Sequence, residues 1–235
     1  MSSRKMGTIY ETDLLLRTHF GSMHPGGLRL TDRAVRLAGL TEGMRAADIG
    51  CGIGATAAFL AEQYGLSVVG LEISDKLINK ALKSRPSLSL IRWDGKSLPF
   101  EENSLDAVFF ECTLSLLKDA RAVLVQAATA LKKTGTAIIS DIYAKNHISP
   151  PPFTFDGLAE TLAAAGYDII VQEDHTAALR TYAAELWNKH NAGLSAGGTH
   201  RASVLDIGSF LGMSCQSEHI RLSGLGYMLT IARKI

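Results

Sequence analysis

"AADIGCGIGATAAFLA", residues 46–61, joins an apolar run to an Ala/Leu-rich stretch through three glycines at alternate positions. The run AADI (46–49) reads as a short buried strand, and GATAAFLAEQYG (54–65) as the helix that follows it. Glycines between a strand and a helix permit positive φ and remove the Cβ atoms that would hold a ligand away from the backbone. The fold then depends on whether further strand–helix pairs follow this one.

They do. SVVGLEI (67–73) reads as a strand and SDKLINKALKSR (74–85) as a helix, with Ser74 as its N-cap and Leu77, Ile78, Ala81 and Leu82 along one face. LSLIRWD (88–94) and LDAVFFEC (105–112) are strands, and a helical stretch at 119–132 leads through Gly135 to TAIISDIY (136–143). Such alternation predicts an α/β fold: a doubly wound, Rossmann-like, mostly parallel sheet with helices on both faces. Beyond Tyr143, HISPPPF (147–153) must be loop, because consecutive prolines continue neither ladder nor helix. A helix (155–167), a strand (168–175), a long amphipathic helix (176–192), a Gly/Ser-containing linker (193–200) and a last strand, GYMLTIARK (226–234), complete the chain. Trp187 shares an apolar stripe with Ala183 and Leu186, so packing is its default role.

One domain is expected overall: a helical cover at 1–43 and the main body at 44–235. Within the cover, Thr31 is placed to cap a helix at 33–40, and SMHPGGL (22–28) is turn-rich. That segment either folds over the mouth of a site or simply packs on the sheet.

Composition narrows the function. Of 235 residues, 46% are apolar, enough for a core, and 24 basic against 23 acidic residues leave a net charge of +1. So balanced a chain offers no field for nucleic acid or anionic lipid. Cys51, Cys112 and Cys215 lie far apart and lack metal-type spacing, which suits a reducing compartment and predicts no metal. No apolar run approaches membrane-spanning length and the start lacks a signal-peptide core, so the expectation is a cytoplasmic protein without membrane partners.

In an open parallel sheet, ligands bind beyond the carboxyl ends of the strands, where strand order reverses. Gly50, Cys51, Gly52, Ile53 and Gly54 fall there. Gly52-x-Gly54-x-x-Ala57 alone satisfies the loose rule for dinucleotide turns, a weak signal. Three acids sharpen it. Glu72, ending the second strand, can accept from both hydroxyls of a ribose. Asp94, in RWDGKSLPF, can accept from an adenine amino group, and Asp48 can brace the turn by accepting its N–H groups. Together they point to an adenosine cofactor with a free 2′-hydroxyl.

This constellation resembles the class I S-adenosylmethionine-dependent methyltransferases over about residues 40 to 145, and most closely their small-molecule branch. ADIGCGIG, VVGLEIS, RWDGKSLPF and LDAVFFECTLSLL look like the family's first to fourth motifs. The resemblance implies a seven-stranded sheet whose last strand is antiparallel, and S-adenosylmethionine as cofactor. It sets Gly50, Gly52 and Gly54 against the methionine part, Glu72 on the ribose, Asp94 on the adenine amino group, and Ile73 with Trp93 or Gly95 near the ring. The closely spaced DIGCGIG with its leading acid and the WDGKSLPF segment suit a cofactor without a pyrophosphate. Two decoys fail. DIGSFLG (206–212) lacks the middle glycine, and SPPPF (149–153) follows the fifth strand rather than the fourth.

The expected reaction is in-line methyl transfer to a small-molecule acceptor, with the protein aligning the nucleophile and excluding water. The alternative is a cofactor-binding module with a non-catalytic or non-methyl role. Glu111, ending the fourth strand, is the candidate catalytic group, as base or substrate anchor; a cofactor contact or a structural acid is the other reading. Cys112 is a core residue or a site thiol. Tyr10, His19, His24, Tyr143 and His147 are candidates to line the acceptor pocket, with Asp141 equally ambiguous; each is otherwise a packing or surface residue. The sequence leaves the oligomeric state open.

Overall fold

The computed structural model describes residues 24–145, 153–195, 213–216, 219–222 and 224–235. Its elements in chain order are α1 (Gly27–Ala38), β1 (Arg45–Ile49), α2 (Ala55–Tyr64), β2 (Ser67–Glu72), α3 (Asp75–Ser84), β3 (Ser89–Arg92) and β4 (Leu105–Glu111). A 3₁₀ turn (Leu114–Leu116), α4 (Ala120–Ala130), β5 (Leu131–Ala144), α5 (Phe155–Ala164), β6 (Tyr167–Asp174) and α6 (Thr176–Ser195) follow. The strands β7 (Met213–Gln216), β8 (His219–Leu222) and β9 (Leu225–Lys234) close the chain.

Seven strands form one sheet in the order β3-β2-β1-β4-β5-β9-β6. Pairs from β3 to β5 are parallel, whereas β9 runs antiparallel to both β5 and β6. The antiparallel last strand and the seven-stranded sheet agree with expectation. The pair β7–β8 forms a separate two-stranded sheet that the sequence reading did not anticipate.

Adjacent apolar residues on the central strands serve opposite faces, as pleating requires. Ala47, Val108, Phe110 and Ile139 belong to one core, packed with Leu124 and Ala127 of α4 and Leu158 and Leu162 of α5. Ala46, Phe109 and Ile138 belong to the other, packed with Leu30, Ala34 and Val35 of α1, Leu60 of α2 and Leu179 and Leu186 of α6. This is why the strands read as continuous apolar runs rather than alternating ones. A smaller cluster seats α3 through Leu77 and Ala81 against Ile53.

Ser74 caps α3, accepting from Leu77 N–H at 3.3 Å, as its position implied. The first helix departs from expectation. It starts at Gly27, after Gly26 in the left-handed region at φ 83°, rather than beyond Thr31. Thr31 lies inside it, fully buried, because its hydroxyl has a tertiary partner described below. Helix α1 packs on the second core, and Arg33 of α1 reaches Glu173 of β6 in a two-pronged ion pair at 2.8 and 2.5 Å.

Candidate active site

Strand order reverses between β1 and β4, and the glycine turn leaves the carboxyl end of β1 at that point. Gly50, Gly52 and Gly54 all take left-handed φ, at 78°, 57° and 71°. The N–H groups of Gly50 and Cys51 both donate to the Leu71 carbonyl, at 2.7 and 2.9 Å. The neighbouring strand braces the turn, and Asp48 does not receive these two donors. The space a Cβ would need at Gly50 is filled by protein: it would stand 2.4 Å from Thr113 Oγ1, in the loop after β4. Gly54 is similarly confined by Leu88 at 2.5 Å. Cys51 is buried with its sulfur against Gly70, so only its backbone faces the turn, and burial pushes its thiol up well above the ordinary range.

Glu72 ends β2 with 6% exposure. Its Oε2 accepts from Gly52 N–H at 2.9 Å and its Oε1 from Ser74 N–H at 2.8 Å. Burial raises its pKa, and these N–H groups partly oppose that. Each oxygen keeps a further lone pair for a hydroxyl donor. Beside it, Ile73 is 53% exposed, unusual for a large aliphatic side chain. Gly95 faces it; a Cβ there would lie 3.6 Å from Ile73 Cδ1. Exposed Asp94 receives the N–H groups of Ser97 and Lys96 on Oδ1, at 2.8 and 2.7 Å, which lower its pKa. A carboxylate, an exposed apolar face and a turn-held aspartate in this order suit the hydroxyls, flat ring and amino group of a nucleoside. Trp93 is placed otherwise than expected. Its ring is buried in the first core, and its indole N–H donates to Ser97 O at 2.9 Å, so it shapes the Asp94 loop from beneath.

At the end of β4 the structure assembles a buried polar cluster. Glu111 Oε1 accepts from Thr31 of α1 at 2.8 Å, and Oε2 accepts from Thr56 of α2 at 2.5 Å. His24 Nε2 approaches the same Oε2 at 3.0 Å, both side chains nearly solvent-free. Burial alone would raise the Glu111 pKa; the His24 charge and the three donors outweigh it and hold it lowered. Burial would likewise strip the His24 proton, but Glu111 and the Pro25 carbonyl hold it on, so its pKa is raised. Both oxygens of Glu111 are thus engaged by protein donors. Sequence reasoning missed Thr31 as a partner, reading it as a cap, and missed Thr56 altogether. A hydroxyl in the apolar first turn of α2 was the available signal.

Asp48 lies 2% exposed beneath this cluster, and its Oδ2 has no hydrogen-bond partner. Burial and the charges of Glu111 and Glu72 push its pKa well above the usual carboxylate range, against the pull of His24 and the Ala57 N–H.

Tyr143 is buried: its ring packs edge-on to Phe155 with centroids 4.3 Å apart, and its hydroxyl donates to Asp174 at 3.1 Å. Asp141, also buried, accepts from Ser115 N–H and Oγ–H at 2.9 and 2.8 Å and from Ile142 N–H at 2.8 Å. Burial pushes its pKa to about 6 despite these donors. Cys112, in the left-handed region at φ 52°, places its sulfur 3.3 Å from Tyr227 Oη, with burial holding the thiol protonated. Tyr10, His19 and His147 lie outside the described residues, as do DIGSFLG and the side chain of Trp187. Among the described residues, no group of three or more His, Cys, Asp or Glu could hold a metal.

The strand order and the reversal-point turn define a class of fold. The sequence is similar to S-adenosylmethionine-dependent methyltransferases over its central part, and the fold is theirs. Residues 47–139 match the sequence model of the methyltransferase domain family. The chain is 25% identical over 173 residues to phosphoethanolamine N-methyltransferase 3 of Arabidopsis thaliana, covering 66% of this chain and 35% of that protein. It is 26% identical over 227 residues to O-methyltransferase cnsE of Penicillium expansum, covering 87% and 78%. It thus spans about a third of the length of the plant enzymes it matches, 29–35%. A structure of Haemonchus contortus phosphoethanolamine N-methyltransferase 2 in complex with S-adenosyl-L-methionine shares the fold, with a TM-score of 0.77 at 18% identity over 100% of this chain and 60% of that one.

Proposed function

We propose that this chain is an enzyme that binds S-adenosylmethionine at the carboxyl ends of β1 to β4 and transfers its methyl group to a small-molecule acceptor. The observation that carries this reading is the row of Glu72, Ile73, Gly95 and Asp94 beside the glycine turn. Glu72 is the ribose acceptor, exposed Ile73 over Gly95 is one wall of the adenine slot, and Asp94 takes the amino group. Gly50, Cys51, Gly52 and Gly54 supply backbone beside the methionine part, and Asp48 lies under it. The cofactor brings an electrophilic methyl carbon bonded to a sulfonium. The protein's contribution is to align the acceptor's nucleophile in line with that bond and to keep water out.

Glu111 serves this reading as a positioning residue rather than a base, because its lowered pKa and two engaged oxygens leave it poorly suited to take a proton. The same fact favours acceptors that need little help in losing a proton, and it keeps the binding-module alternative in view. The free thiols of Cys51 and Cys112 support a reducing, cytoplasmic setting. No helix among the described residues is long and apolar enough to cross a membrane.

Calorimetry with S-adenosylmethionine, together with turnover of labelled cofactor over a panel of small amines, acids and phenols, tests the proposal. Glu72→Ala is expected to weaken cofactor binding at least about tenfold, the loss of one or two charge-assisted hydrogen bonds. Undiminished affinity in that variant would sink the site. Binding without turnover on any acceptor class would favour the non-catalytic reading.

A further inference from the structure

We propose that His24 and Glu111 form a proton-controlled clasp, which fixes the start of α1 over the β4 side of the crevice and releases it when the imidazole loses its proton. The argument begins with the two ring nitrogens. Nε2 faces Glu111 Oε2 at 3.0 Å and Nδ1 faces the Pro25 carbonyl at 3.2 Å. Both partners are acceptors, and a neutral imidazole carries only one N–H. Only the imidazolium satisfies both contacts. Deprotonation sets a nitrogen lone pair against an oxygen where His24 is 4% exposed, and the one hydroxyl beside Nε2, that of Thr31 at 3.4 Å, already donates to Glu111 Oε1.

The charges facing the pair make the loss one-sided. Glu111 comes from β4, Asp48 from β1 acts on His24, and Glu72 from β2 acts on Asp48. The partners from α1 and α2, Thr31 and Thr56, are uncharged hydroxyls. His24 is therefore the cation facing two carboxyl groups, Glu111 and Asp48, and its neutralisation leaves Glu111 buried with two hydroxyl donors alone. Such an uncompensated charge is what proteins avoid by moving or by taking up a proton. The element free to respond is the turn before α1. The flank of that helix is fastened by Arg33 to Glu173, whose pKa is held at about 2 by Arg33 chiefly and by His175 at 2.9 Å, so Glu173 and Arg33 both stay charged near neutrality.

The consequence for cofactor binding rests on the crevice being the S-adenosylmethionine site, but the clasp itself is measured without cofactor. Hydrogen exchange of the ligand-free full chain, followed from about pH 6 to about pH 9, compares a peptide covering residues 24–38 with one covering α4. The ratio cancels the intrinsic pH dependence of exchange. In the wild type it is expected to rise about tenfold or more, the weight of a hydrogen bond between charged groups. In His24→Gln and Glu111→Gln it should stay level. A flat wild-type ratio overturns the clasp, as does an undiminished rise in His24→Gln; if the variants fail to fold, the wild-type profile decides. Calorimetry on the wild type then reads S-adenosylmethionine affinity across the same range, where a fall toward high pH is expected. No binding at any pH would defeat the cofactor reading while leaving the exchange result to judge the clasp.

Discussion

At Glu111, two neighbouring hydroxyls and one imidazole converge on a carboxylate with almost no solvent, and the whole group has to be considered as a unit. Removing one member of a buried pair leaves the other charged and unpaired, which costs about 3–5 kcal/mol. Urea unfolding of Glu111→Ala and His24→Ala should show losses of that order, and the double variant far less than their sum. Additive losses would mean the two side chains do not interact. Asp141 offers a second residue-scale prediction, in pH. Its carboxyl is raised to about 6 from an ordinary 3.8, so the folded chain holds this proton over a range where the unfolded chain has released it. The group favours the folded state fully below the unfolded value, and that advantage is lost as pH climbs to about 6. Asp141→Asn should therefore gain on the wild type between about pH 4 and about pH 7, by on the order of 3 kcal/mol. Parallel stability curves for the two proteins would contradict the burial of this acid.

The element scale is where single glycines decide whether strands can meet. On β9, Gly226 lies opposite Tyr143 of β5, and a Cβ there would stand 2.2 Å from the tyrosine ring. The ring has settled over bare backbone and cannot retreat, since Phe155 of α5 packs against its edge. Gly226→Ala should cost about 1–3 kcal/mol by overpacking, and a smaller residue at 143 should recover most of it. A melting temperature unchanged by Gly226→Ala would show that β5 and β9 are less tightly matched than this. The Gly50 turn follows the same logic at the crevice. Its missing Cβ admits Thr113, so the loop after β4 and the turn after β1 are shaped on one another before any ligand arrives.

For the whole molecule, the βαβ alternation and the last strand were legible because both faces of the sheet are covered, so the central strands carry unbroken apolar runs that composition alone reveals. The row of Glu72, Ile73 and Asp94 was legible for a related reason. Glu72 ends β2 and Asp94 lies two residues beyond β3, and such places are fixed once the strands are counted. Glu111's partners were not legible. Thr31 and Thr56 lie 80 and 55 residues from it in sequence, and neither fits a local pattern. Nor were the β7–β8 pair and the start of α1 legible, the latter because a left-handed Gly26 begins the helix with no capping side chain. The sequence by itself determined the strand–helix alternation, the glycine turn and the two acids beside it, because each follows from residues near one another in the chain. Only the tertiary structure decided that Glu111 is locked rather than free, that Trp93 and Tyr143 face inward, and that His24 is set against a buried carboxylate. Those outcomes depend on which distant groups share a volume from which water is excluded, and that is settled by packing.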